Sequence, residues 1–229
     1  MKVIVISDVH GRDDWKKQVE NEADKYVFLG DFFDSYDIPF TDQIQNFHEI
    51  LEFKEQNPDK VILLVGNHDL HYIDFIHRTS GFQYGNNLSI RNVLFPLYEN
   101  KILKACHLEN GHLFSHAGIS RQWCDDFGID VDDNIADNIN ELFYKNTFAF
   151  AFRKPKVIKL SQEGYDVYGD NIWQTPMWIR PFSLIINGVQ GFTQVVGHTP
   201  QKEVSFNKNS NIYFCDCQDQ SDDFLILNI

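Results

Sequence analysis

Val61-Ile62-Leu63-Leu64-Val65-Gly66-Asn67-His68-Asp69 opens as an unbroken apolar run and stops at a glycine followed by three polar residues. A short apolar run bounded by a turn signal reads as a strand buried on both faces, as in a parallel sheet covered by helices. Ligands of such sheets sit beyond the carboxyl ends of the strands, so polar residues placed there face a site without disturbing the core. The pattern recurs. Val3–Ile6 runs into Ser7-Asp8-Val9-His10-Gly11, Tyr26–Leu29 into Gly30-Asp31, Leu113-Phe114 into Ser115-His116-Ala117-Gly118, and Val195-Val196 into Gly197-His198. Apolar runs from distant parts of the chain thus all end in Asp, Asn or His.

Around these runs the order predicts an α/β fold. Asp13 to Ala23 carries Trp15 and Val19 at helical spacing and reads as a crossover helix, which makes the first two strands a parallel pair. Thr41 is the expected N-cap of a second helix, with Ile44, Phe47, Leu51 and Phe53 on its apolar face and Asn57-Pro58 ending it. Residues 71–76 suggest a short helix, and 81–87 a loop. Ile102 to Leu108 reads as one strand, joined through Glu109-Asn110-Gly111 to His112–His116 as an antiparallel hairpin, so the sheet is mixed. Residues 119–182 read as a long irregular insert with a helix around 135–150, and further strands are expected at 195–196, 212–215 and 224–227. With 229 residues and no low-complexity linker, residues 1–229 are expected to form one domain.

A net charge of -13 argues against docking to a nucleic-acid backbone or an anionic membrane, although bound divalent cations would make a site locally positive. No apolar segment reaches the roughly 20 residues that span a bilayer, and Met1-Lys2-Val3 leads directly into a strand without a signal-peptide layout. Cys106, Cys124, Cys215 and Cys217 form no CxxC pair, and they read as reduced thiols of a cytoplasmic protein.

Asp8 and His10, two apart at a strand end, can reach one metal. With Asp31, Asn67, His116 and His198 they make a carboxylate, imidazole and amide set suited to Mn²⁺, Zn²⁺, Fe²⁺ or Mg²⁺. Six ligands exceed the needs of one four-coordinate zinc and suit two ions sharing a carboxylate, which activate a water and clamp a phosphoryl group.

The set Asp8-x-His10-Gly11, Gly30-Asp31-x-x-Asp34, Gly66-Asn67-His68-Asp69, His116-x-Gly118 and Gly197-His198-Thr199 resembles the calcineurin-like metallophosphoesterase family. Its GDxxD and HAG forms resemble the branch holding protein serine/threonine phosphatases and symmetrical diadenosine tetraphosphatases. The resemblance implies a four-layer α/β/β/α sandwich of mixed sheets with two divalent metals at the sheet edges, manganese first among the candidates. By that pattern Asp8, His10 and Asp31 hold the first ion, and Asp31 bridges to the second, completed by Asn67, His116 and His198. His68 is then the general acid, oriented by Asp34.

The implied activity is hydrolysis of a phosphomonoester by direct attack of activated water. The alternatives are nucleotide polyphosphate hydrolysis of the diadenosine tetraphosphatase type and a catalytically silent metal-binding scaffold. A phosphorylated protein, small phosphoester or nucleotide is the implied partner. Two departures stand out. Ser35 occupies the place where protein phosphatases of this branch carry arginine, and Thr199-Pro200 follows His198 where other members carry a second histidine. Arg180, or less directly Arg12, is the candidate to grip substrate phosphate instead. His71, three residues after His68, is left outside the set, and the insert at 119–182 is expected to shape substrate access.

Overall fold

A computed structural model describes residues 1–74, 78–153, 170–218 and 220–229. The expected 71–76 helix and the tyrosine- and glycine-rich stretch from Gly164 lie partly outside these residues. Strands β1 (Lys2–Ile6), β2 (Lys25–Phe28), β3 (Val61–Leu64), β4 (Leu103–Lys104) and β10 (Leu225–Asn228) form one sheet in the order β10-β1-β2-β3-β4. Neighbours from β1 to β4 run parallel, and β10 is antiparallel to β1. The second sheet takes β5 (Cys106–Glu109), β6 (His112–Ser115), β7 (Thr193–Val196), β8 (Ser205–Asn207) and β9 (Ile212–Phe214) in the order β5-β6-β7-β9-β8. Here β6, β7 and β9 are parallel, while β5 and β8 pair antiparallel at the edges.

Period-two alternation explains how the sheets stack. Val3, Val5, Val27, Leu29, Ile62 and Leu64 face one way and pack in one cluster with Phe114, Val195 and Cys215 of the second sheet. Ile4, Ile6, Phe28 and Leu63 face the other way. They pack against Trp15 of α1 (Trp15–Val19), Phe47 and Ile50 of α2 (Phe40–Gln56), and Ile90 and Leu94 of α4 (Asn87–Glu99). Outside the second sheet, Trp123 of α5 (Arg121–Phe127), Ile139 and Phe143 of α6 (Ile135–Lys145) and Leu184 of α7 (Pro181–Asn187) are buried. The result is the expected sandwich of two mixed sheets between helical layers.

Several boundaries differ from the sequence reading. The stretch from Ile102 to Leu108 is two strands in different sheets, because the chain changes sheet at Ala105. Asn140 of α6 caps that crossing: its Oδ1 accepts Ala105 N–H (2.8 Å) and Cys106 N–H (3.2 Å), and its amide donates to Cys106 O (2.9 Å). The hairpin from β5 to β6 forms as expected, with Asn110 (φ 46°) and Gly111 (φ 75°) as a two-residue left-handed turn. Helix α1 spans five residues rather than eleven. Helix α2 begins at Phe40 after Pro39, and the Thr41 hydroxyl bonds Asp42 instead of capping. Among the described residues of the 119–182 insert, the expected helix around 135–150 is α6 followed by a 3-10 turn at Thr147–Phe150, and α5 is an addition to the sequence reading. Among the described residues, no helix is long and apolar enough to cross a membrane.

Candidate metal centre and active site

The strand ends converge. Asp8 follows β1, Asp31 follows β2, and Asn67 opens helix α3 (Asn67–Asp74) after β3, all at the carboxyl edge of the first sheet. His116 and His198 follow β6 and β7 at the matching edge of the second. Asp8, His10, Asp31, Asp34 and His198 all have φ between 39° and 69°. Left-handed backbone is costly for side-chain-bearing residues and persists where the surroundings impose it, often at functional sites. The remaining non-glycine residues of this kind among those described, Lys101, Asn110 and Asn211, lie outside the site.

Three groups of ligand-type atoms form among the described residues, two of which share Asp31; the third is Asp34, His68 and His71. Of the pair that shares Asp31, Asp8, His10 and Asp31 make one group, and Asp31, His116 and His198 the other. The five side chains of this pair are largely buried. His10 Nδ1–H donates to Phe33 O (2.6 Å) and His116 Nδ1–H to Leu29 O (3.0 Å), and each bond leaves Nε2 as a bare lone pair. His116 Nε2 then stands 2.8 Å from Asn67 Oδ1, 3.2 Å from His198 Nδ1 and 3.4 Å from Asp31 Oδ2. His10 Nε2 stands 3.7 Å from Asp31 Oδ2. Buried acceptors crowded together repel unless a cation lies among them, so this donor set fits divalent metal.

The electrostatics agree. Burial, then the charges of Asp216 and Asp31, pushes the Asp8 carboxyl well above the usual carboxylate range. Burial also works to raise Asp31, but the imidazoles of His116, His68 and His10 outweigh it and hold that carboxyl below its usual value. Burial keeps His10, His116 and His198 neutral by lowering their pKa values, and a metal requires neutral imidazole. Asp69 braces the centre from behind. Its carboxylate accepts the backbone N–H of Gly66 (2.9 Å), Asp31 (2.8 Å) and Phe32 (2.9 Å), tying the ends of β2 and β3 together.

His68 faces the same pocket but lies outside the two groups that share Asp31, falling with Asp34 and His71 instead. Its backbone N–H bonds Asp31 Oδ1 at 2.9 Å, and its Nδ1–H donates to Asp34 Oδ2 at 3.0 Å. Burial lowers the His68 pKa, but Asp31 and the bonded Asp34 more than offset that and leave it above the ordinary imidazole value. Asp34 itself resists burial through its bonds from His68, His71 and Tyr72 and stays below the usual carboxylate range.

The pocket, about 200 Å³, is lined by Asp8, His10, Asp31, Asn67, His68 and His198 together with Ser80, Trp178, Arg180, Pro200 and Asp216. Arg180 is held there by bonds from Nη1 to Thr199 Oγ1 (3.0 Å) and His198 O (3.3 Å). Arg12 lines a separate open depression with Asp13, Lys16 and Glu49, and its Nη1 lies 3.4 Å from both Asp8 O and Val9 O. Sequence reasoning missed Asp216 and His71. Asp216 follows β9 just as the other acids follow their strands, so the strand-end rule could have found it. The flanking Cys215 and Cys217 are buried and belong to none of the ligand groups.

A sandwich of two mixed sheets whose edges gather carboxylates, imidazoles and an amide around a pocket defines the class of metal-dependent phosphoesterases. The sequence profile of that class, described as calcineurin-like phosphoesterase, matches residues 1–202, and the chain belongs to this family. It is therefore a phosphoric ester hydrolase of a family that uses divalent metals. No curated protein sequence matches it. Among solved structures, it is similar to the cold-active protein tyrosine phosphatase of a psychrophilic Shewanella species, at 19% identity and TM-score 0.59, covering 99% of this chain and 75% of that one. It is also similar to a protein serine/threonine phosphatase from Saccharomyces cerevisiae, at 15% identity and TM-score 0.53, covering 94% and 67%. Likenesses at these identities show the shared fold.

Proposed function

We propose that the chain hydrolyses phosphomonoesters by direct attack of water, with two divalent ions, manganese foremost and iron, zinc or magnesium as substitutes. Asp8, His10 and Asp31 would hold one ion, and Asp31, Asn67, His116 and His198 the other. When bound, the ions lower the pKa of water and draw charge from the phosphoryl oxygens. The observation that carries this reading is the placement of His68, oriented by Asp34 and raised in pKa, beside the two groups that share Asp31 but in neither of them. An alkoxide leaves poorly, and His68 Nε2–H is positioned to protonate it, a contribution of about 10²–10⁴-fold. Arg180, not Arg12, grips the phosphate, with its guanidinium in the pocket where Ser35 supplies no cation.

Attack by water, with no phosphoenzyme, is supported by the cysteines. All four are buried, and burial raises each thiol's pKa and disfavours the nucleophilic thiolate. Their free state fits a cytoplasmic setting. The chain is read as a single domain whose 119–182 segment shapes access, because Trp178 and Arg180 from that segment wall the pocket.

The test is turnover by metal-reconstituted protein of p-nitrophenyl phosphate, its bis ester, phosphopeptides and dinucleoside tetraphosphates. Monoester and phosphopeptide turnover is expected. Preference for the tetraphosphates would replace this substrate class with nucleotide polyphosphates. Silence with every metal, or activity unchanged in His68→Asn and Asp31→Asn, would overturn the enzymatic reading.

A further inference from the structure

We propose that His71 is a positioning residue that aims His68 through Asp34, an inference that rests on reading His68 as the proton donor. His71 and Tyr72 follow His68 on α3, and both reach the carboxylate that orients it. Asp34 Oδ2 lies 3.0 Å from His68 Nδ1 and 2.8 Å from His71 Nε2, while Oδ1 accepts the Tyr72 hydroxyl. Asp34 and His71 are almost fully buried, so this carboxylate has essentially no water to bond.

The tautomer of His71 follows from its other nitrogen. The Thr79 backbone N–H can only donate, and it donates to His71 Nδ1 at 3.4 Å, with the Thr79 hydroxyl 2.9 Å away on the same atom. Nδ1 is therefore the acceptor, and the protonated Nε2 stands 2.8 Å from Asp34 Oδ2, an ion-pair distance at an angle too bent for a regular hydrogen bond. A protonated Nε2 offers no lone pair on that side, so the trio Asp34, His68 and His71 is a carboxylate contacted by two imidazoles rather than a third metal group, despite its ligand-like spacing. With Oδ2 shared between two imidazoles and Oδ1 held by Tyr72, Asp34 keeps one orientation. His68 Nδ1–H must follow it, which turns Nε2 toward the pocket. Gly81 closes the arrangement, since a Cβ there would fall 3.1 Å from Asp34 Cβ and 3.5 Å from His68 Cε1.

The variants His71→Asn and His71→Gln separate positioning from packing. Asn matches the reach of Nδ1 and bonds Thr79 but falls short of Asp34, whereas Gln matches the reach of Nε2 and can donate to Asp34. The readout is kcat on an alkyl phosphate, which needs a proton donor, relative to kcat on p-nitrophenyl phosphate, whose phenolate leaves without one. This ratio should fall about tenfold in His71→Asn at nearly constant KM and return to within about threefold of wild type in His71→Gln. Equal losses on both substrates, or a Gln variant no better than Asn, would overturn the proposal. If His71→Asn does not fold, Thr79→Val removes the hydroxyl but keeps the backbone donor, and a ratio lowered about threefold is expected; an unchanged ratio contradicts the proposal. His68→Asn distinguishes the two levels. A fallen ratio there with none in His71→Asn rejects only the role of His71, and an unchanged ratio in His68→Asn rejects the proton-donor reading itself.

Discussion

The backbone nitrogen of His198 lies 3.1 Å from both carboxylate oxygens of Asp8, which joins the end of β7 in one sheet to the end of β1 in the other. The bond spans nearly the whole chain and sets the distance between the two edges that carry the candidate ligands.

Gly197 makes this approach possible. A Cβ at that position would overlap Asp8 Oδ2 and Ser7 Oγ, and one at Gly66 would overlap Asp31 Oδ1. Gly197→Ala and Gly66→Ala should therefore weaken metal affinity at least about tenfold, the loss typical of disturbing atoms behind a ligand. Calorimetric titration with Mn²⁺ measures this, and wild-type affinity in both variants would show that the edges tolerate separation.

Metal binding should be linked to protons. The Asp8 carboxyl is raised by burial, Asp216 and Asp31, so it retains its proton to higher pH than a free carboxyl and must release it to serve as a ligand. The imidazoles are held neutral, so little of the released proton comes from them near neutral pH. Affinity should weaken as pH falls from 7 toward 5, with proton release visible in buffers of different ionisation enthalpy. Affinity independent of pH would contradict the assignment of Asp8.

The pH dependence of turnover should report the His68–Asp34 pair. The Asp34 charge supports the charged imidazole, so removing it in Asp34→Asn lowers the His68 pKa. An acid with a lower pKa loses its proton earlier as pH rises, so the alkaline limb of kcat/KM should move to lower pH. His68→Asn should lower kcat about 10²–10⁴-fold on poor leaving groups. An alkaline limb unmoved by Asp34→Asn would detach this pair from the chemistry.

Arg180→Ala should reduce kcat/KM about 10–100-fold with metal content unchanged, and Arg180→Lys should recover only part, since an ammonium lacks the two-bond fork. Arg12→Ala should cost less, because Arg12 faces the neighbouring depression. The reverse ranking would move the phosphate grip to Arg12.

What was legible in the sequence follows from locality. A buried strand and the polar residue after it are written in consecutive letters, so Asp8, His10, Asp31, Asn67, His116 and His198 could be read together. Helix α4 was missed because Pro96 and the Asn86-Asn87 start break its pattern, while Ile90 and Leu94 acquire their partners only in the folded core. The change of sheet at Ala105 depends on Asn140, thirty-five residues away, and no local signal announces it. His71 carried one weak signal, its helical spacing from His68, and its meaning depends on Asp34 and Thr79 coming from two other segments.

The central claim is a two-metal centre bridged by Asp31, and metal stoichiometry tests it most directly. Elemental analysis of Mn²⁺-loaded, desalted protein should find about two ions per chain in the wild type and no more than one in Asp31→Asn. A single ion in the wild type, or the same count in both proteins, would contradict it.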